Sequence, residues 1–212
     1  MGKEMLKEDP TDKELWKCFQ QENAFLFSRL YEKYQQELFG YVFRILQNRE
    51  DAKTVLHELF VHLWQERKSL PQVDFPKAYL ITALRRRSIR YRQYYTRFLS
   101  TDQDGEGLRG TATSFVFSPE DILIHCEKAE TLQKQLAEAI NDLPPRQREI
   151  IYLRYYQELT IPEISQILEL SYQTVANHLQ AAYRSLSKDS KVSMLVALTT
   201  GISLLLMATD FL

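Results

Sequence analysis

The chain is poor in the residues that punctuate loops and cross-link folds: its 212 residues include two cysteines, six glycines and seven prolines. Cys18 and Cys126 stand far apart with no CxxC pair, so neither a disulfide framework nor a thiolate metal site is indicated, and a reducing cytoplasm is the natural setting. So little glycine and proline, beside 44 % apolar and 26 % charged residues, excludes a disordered chain, a collagen-like repeat and a loop-rich all-β architecture. The N-terminal stretch MGKEMLKEDPTDKELW has no apolar run of secretory type. A Gly-rich phosphate loop, a GxSxG elbow and a paired-carboxylate constellation are all missing, so the expectation is a protein without catalytic residues or cofactor. An excess of either charge is missing too. The net charge of −1 argues, as a whole-chain average, against a nucleic-acid binder.

Long hydrophobic runs occur in one place. Val192 to Leu212 carries no charge except Asp210, and its 21 residues would span about 30 Å as a helix. Ser193, Thr199, Thr200, Ser203 and Asp210 share one arc of that helix, so a weakly amphipathic apolar helix is expected over 191–212. Packing against a partner or against the protein's own domains is the favoured reading. The lesser one is a membrane anchor with Lys188 and Lys191 on the cytoplasmic side.

What is present is helical periodicity. Phe27, Leu30, Tyr31, Tyr34, Leu38, Tyr41, Val42 and Ile45 recur at the three-and-four spacing of a helix with one buried stripe, and Ala52, Val55, Leu56, Leu59, Phe60, Leu63 and Trp64 repeat it. The SLPQVDFP stretch reads as a loop, and Pro76 suits the first turn of a third helix because its missing N–H would have no helical partner there. Residues 99–117 hold three of the six glycines and lack periodicity, which predicts a flexible, mildly acidic linker. Ser118-Pro119-Glu120-Asp121 then predicts a capped helix start, and Leu143-Pro144-Pro145 breaks that helix and opens another.

Thr160 and Glu163 match a capping box, a short helix to Leu168 follows, and Ser171 caps a further helix with Val175, Leu179, Ala182 and Leu186 facing inward. Two short helices joined by a tight turn predict a helix-turn-helix. The fold class is therefore all-α, with two small helical domains joined by a tether.

Two clusters bear on function. His57-Glu58-Leu59-Phe60-Val61-His62 approaches a zinc-protease signature, but histidines five apart lie roughly 140° off a common helix face, which leaves them surface residues and predicts no metal site. The helix after Pro76 is different. Arg85, Arg86, Arg87, Arg90, Arg92 and Arg97 alternate with Tyr91, Tyr94, Tyr95 and Phe98, and no acid occurs between Phe75 and Thr101. Guanidinium groups suit phosphates and the rings suit unpaired bases, so an anionic partner is favoured over a solvated charged face, which would carry acids at i±4. In the helix-turn-helix, Tyr172, Gln173, Thr174, Asn177 and His178 point outward at the start of the second helix and can bond base edges, with Arg184, Lys188 and Lys191 placed for phosphates.

In this order the motifs resemble a known family. Phe27 to Trp64 followed by AYLITALRRRSIRYRQ resembles region 2 of a bacterial sigma factor, and LPPRQREIIYLRYYQELTIPEISQILELSYQTVANHLQAAYRSL resembles region 4, most closely in the extracytoplasmic-function group. The resemblance implies an N-terminal extension over 1–23, region 2 over 24–98, the linker over 99–117 and region 4 over 118–190. It implies a non-enzymatic factor that binds core RNA polymerase through its clamp helices and flap, reads and opens a promoter, and meets an anti-sigma or other regulatory protein. By the same resemblance Asp51, Thr54, Glu58 and His62 would face the clamp, the arginine-tyrosine helix would engage the melted −10 element, and the loop Ser69 to Phe75 would capture an extruded base. Ser171 to His178 would read the duplex −35 element, and a tether of about 20 residues reaches at most some 65 Å between the two.

The chain departs from the family pattern in having Ala52-Lys53-Thr54 for Ala-Glu-Asp, Arg86 for asparagine, and Glu169 for the glycine of the helix-turn-helix turn. A left-handed non-glycine residue costs about 1 kcal/mol. The alternative from another class is a helix-turn-helix regulator that binds duplex DNA without polymerase; it would need no arginine-aromatic helix.

Overall fold

The computed structural model of the chain describes residues 11–21, 24–99, 115–117 and 129–188, and no strand occurs among them. The capped start expected at Ser118, the apolar helix expected over 191–212, and most of the expected linker lie outside the described residues. The helices are α1 (Asp12–Gln20), α2 (Ala24–Leu46), α3 (Arg49–Gln65), α4 (Pro76–Leu99), α5 (Ala129–Asn141), α6 (Pro145–Ile151) continued by a π-helical turn (Tyr152–Tyr156), α7 (Ile161–Leu168) and α8 (Tyr172–Lys188). They fall into two compact units, α1 to α4 in the first, and α5, α6, the π turn, the start of α7 and α8 in the second.

In the first unit α2, α3 and α4 pack against one another. Leu30, Leu38 and Ile45 of α2, Leu59 and Leu63 of α3, and Leu80, Ile81 and Leu84 of α4 fill the core. The predicted stripes are the buried ones, except that Phe27 and Trp64 are half-buried and Tyr31 is exposed. Between α2 and α3 the chain reverses at Gln47, which is left-handed with φ 58°. Asn48 then caps α3, its Oδ1 accepting from the Glu50 and Asp51 amides at 2.9 and 3.2 Å, which offsets the unbonded N–H groups of a helix start.

Of the expected N-terminal extension, residues 11–21 are described, and they form a helix packed on the first unit. Within them Thr11 and Glu14 form a reciprocal capping box, and α1 packs on α2 and α4 through the buried Leu15, Trp16 and Phe19. A nine-residue helix is marginal by itself; three large buried side chains supply what its length does not.

In the second unit Pro145 opens α6 as predicted. Glu149, Ile150, Ile151, Tyr152 and Leu153 are all buried, five in succession, with the Glu149 carboxylate paired to Arg146 at 3.1 Å. At the end of that run the Gln157 amide bonds back to the Tyr152 carbonyl at 3.1 Å, an i→i−5 bond that widens the last turn. The end of the expected linker is corrected here. Phe115 and Phe117 are buried, with rings 5.2 and 5.8 Å from Tyr152 and Phe117 also 5.3 Å from Tyr156. The Asn141 side chain accepts from the Phe117 amide and donates to its carbonyl, both at 2.9 Å. Burying two phenylalanines contributes about 1.5–3 kcal/mol each, so residues 115–117 belong to the second unit.

Candidate nucleic-acid interface

The helix-turn-helix is built as its sequence implies. Thr160 and Glu163 exchange hydrogen bonds, Glu163 Oε2 accepting from the Thr160 amide at 2.8 Å and Thr160 Oγ1 from the Glu163 amide at 3.4 Å. After Leu168 the chain turns through Glu169, left-handed with φ 56°, so the glutamate holds the conformation a glycine would take more easily. Ser171 Oγ caps α8, accepting from the Thr174 amide at 3.1 Å. Val175, Leu179, Ala182 and Leu186 are buried, as predicted. That places Gln173, Asn177, Gln180 and Arg184 on one exposed stripe of α8, with Tyr172 exposed at its start and Thr174 and His178 half-buried beside it. The Gln173 amide donates to Asn177 Oδ1 at 3.0 Å, which turns the Asn177 NH2 outward as a donor. Gln180, one turn on from Asn177, is an addition to the predicted set; its spacing was visible in the sequence.

α4 carries the basic helix, and here one prediction needs correcting. Arg85 is buried, 7 % exposed, on the stripe shared by Ile81, Leu84 and Ser88, so it leaves little surface for a phosphate to reach. The charge at position 85 concealed a spacing of four from Ile81, which is the inward face. Arg86, Arg90 and Arg92 are exposed and Arg87 half-buried, with Tyr94 and Tyr95 exposed at 71 % and 50 %. The side chains of Arg97 and Phe98 lie outside the described set.

Tyr91 is engaged within the unit. Its hydroxyl donates to Asp51 Oδ1 at 2.8 Å, and its ring stacks on Tyr95 at 5.9 Å with 18° between planes. The hydrogen bond to the carboxylate, then burial and the Asp51 charge, push the phenol pKa up to about 12. Asp51, predicted on the clamp-facing surface, is thus half-buried and faces α4. Thr54, Glu58 and His62 are exposed along the outer face of α3, with Val61, 39 % exposed, among them. Lys53, the departure from an acidic residue, pairs with Glu50 at 2.7 Å on its own helix, and that bond holds the Glu50 carboxyl below its usual range. His57 and His62 are both exposed, and among the described residues no group of His, Cys, Asp or Glu could hold a metal ion. No helix among them is long and apolar enough to cross a membrane.

Two families match these two units. That described as Sigma-70 region 2 matches residues 30–98 and that described as Sigma-70, region 4 matches residues 133–186. The RNA polymerase sigma factor YlaC of Bacillus subtilis (strain 168) is 29 % identical over 161 residues, covering 76 % of this chain and 89 % of that protein. The ECF RNA polymerase sigma factor SigK of Mycobacterium tuberculosis (strain CDC 1551 / Oshkosh) is 25 % identical over 171 residues, 79 % of this chain and 87 % of that one. A chain of the solved structure of CnrH in complex with the cytosolic domain of CnrY superposes with a TM-score of 0.55 at 17 % identity, over 87 % of this chain and 96 % of that one, a likeness of fold.

Proposed function

Because the chain belongs to the sigma-70 family as a sigma factor of the extracytoplasmic-function group, serving promoter recognition and transcription initiation with core RNA polymerase, we propose that its two units divide the promoter between them. Exposed Arg86, Arg90 and Arg92 hold the phosphates of the melted −10 strand while Tyr94 and Tyr95 stack on its bases; Arg87 assists from a half-buried position. The loop Ser69 to Phe75 takes one extruded base. Tyr172, Gln173, Asn177 and Gln180 meet base edges of the −35 duplex, Ser171, Thr174 and His178 flank them, and Arg184 holds a phosphate. Thr54, Glu58, Val61 and His62 form the surface for the polymerase clamp helices, and the second unit takes the flap. In this reading region 2 takes in α1, which packs on α2 and α4, and region 4 begins by Phe115. A regulatory protein that stands to this chain as CnrY stands to CnrH completes the partners, and the cytoplasm is the place of action.

The observation that carries this reading is the pair of exposed tyrosines on an acid-free arginine helix, which a reader of closed duplex has no use for. In vitro transcription with core polymerase tests it. The protein is expected to bind core and direct initiation. Arg86→Ala and Tyr94→Ala should impair opening more than duplex binding, and Asn177→Ala should weaken −35 binding by about 1–3 kcal/mol. A protein that binds duplex but never core, or three variants that lose both steps equally, refutes the division.

A further inference from the structure

The loop between α3 and α4 is tied down by α1. Its first half folds back on the end of α3, the Ser69 and Leu70 amides bonding the Glu66 carbonyl at 2.8 and 3.1 Å. Its second half runs Pro71-Gln72-Val73-Asp74-Phe75-Pro76, with no glycine and with prolines that donate no N–H at either end. Here α1 reaches across. The Gln20 amide donates to the Leu70 carbonyl at 2.6 Å and the Trp16 indole N–H to the Pro71 carbonyl at 3.0 Å. Gln72 donates back to Gln20 Oε1, and Lys13 pairs with Asp74 at 2.5 Å. The indole cannot swing: Trp16 is fully buried, edge-on to Tyr79 of α4 at 5.1 Å and to Phe19 at 5.6 Å. The direction of its N–H is therefore set by core packing. From this frame the loop presents Phe75, 59 % exposed, at the start of α4.

We propose that Trp16 and Gln20 are positioning residues that set base discrimination by this loop. The inference rests on the loop's taking an extruded base, as proposed above. Telling one base from another depends on donors and acceptors held to within a fraction of an ångström, because hydrogen bonds weaken steeply with angle and distance. Phosphate binding by the α4 arginines has no such requirement. Loosening the carbonyls of Leu70 and Pro71 therefore blunts preference at one position and leaves overall affinity and its salt dependence alone.

The test uses holoenzyme assembled from the full chain and core polymerase, selecting single-stranded oligonucleotides randomised over the −10 segment. In parallel, p-benzoylphenylalanine at position 75 reports which nucleotide the loop touches. Trp16→Phe keeps the ring and deletes the N–H; Gln20→Met, at a half-buried surface position, keeps length and deletes both polar atoms, and stands in if Trp16→Phe melts early. One lost hydrogen bond predicts a base preference flattened about five-fold at the cross-linked position, with preferences elsewhere unchanged. Cross-linking at one nucleotide with preference there unchanged in both variants overturns the positioning role and leaves base capture standing. Flattening spread evenly over all positions overturns it as well, because that is the mark of a general loss of fold. Absence of any cross-link to the −10 strand removes base capture and the inference with it.

Discussion

The hydrogen bond from Tyr91 to Asp51 joins the outward helix α3 to the arginine helix α4, and its worth can be measured. It is 2.8 Å long, between a part-buried phenol and a carboxylate. Bonds to charged groups contribute about 1.5–3 kcal/mol, and partial access to water places this one near the lower end. Tyr91→Phe removes the hydroxyl and keeps the ring stacked on Tyr95. Asp51→Ala removes the acceptor, but also a carboxylate from the first turn of α3, where it contributes about 0.3–1 kcal/mol through the helix dipole. Neither single change isolates the bond; a double-mutant cycle does. Urea denaturation at neutral pH should give a coupling of about 1.5 kcal/mol. The pH dependence has a definite sign. The folded-state pKa of about 12 lies above the ordinary phenol value of 10.0, so the fold favours the neutral form. Its contribution is complete below pH 10, where both states are protonated, and declines as pH rises toward 12. The stability difference between wild type and Tyr91→Phe should be flat up to that window and shrink within it. A coupling below about 0.3 kcal/mol, the scatter of independent sites, refutes the bond. So does a spectroscopic titration in which the tyrosine lost in Tyr91→Phe ionises at the ordinary value.

Other substitutions address the corrected features. Arg85→Ala should lower the melting temperature while leaving the salt dependence of DNA binding unchanged. Arg90→Ala should spare stability and reduce the slope of log K against log salt by about one phosphate contact; the reverse pattern would return Arg85 to the surface. Asn141→Ala strands the Phe117 amide and carbonyl and should cost about 1–3 kcal/mol, with Phe117→Ala costing about 3–5 kcal/mol, read by chemical denaturation; no loss would detach residues 115–117 from the second unit. Glu158 is exposed and left-handed, with φ 55°, so Glu158→Gly should stabilise by about 0.5–1 kcal/mol, and a destabilised variant would contradict that conformation.

Much of this protein was legible in its sequence because the signals are local. A capping box needs a residue three positions on, as at Thr160 and Glu163. A buried stripe needs only its period, as in α2, α3 and α8. A proline placed to open a helix marks the same point in any context, as Pro76 and Pro145 do. The order of those elements, with an acid-free arginine-tyrosine helix ahead of a helix-turn-helix, carried the family and its function.

Tertiary structure decided what depends on a second element. Arg85 and Arg86 are adjacent and alike in sequence, and the packing of α4 buries one and exposes the other. Asp51 reads as a surface acid until α4 supplies Tyr91 as its partner. α1 is too short to announce itself, and Phe115 and Phe117 sit in a segment without periodicity; each is ordered by burial against residues distant in the chain. Periodicity and caps are properties of one turn of backbone, which the sequence by itself determined. Which charge turns inward, and which apolar residue finds a groove, are properties of pairs of elements that come together only when the chain has folded.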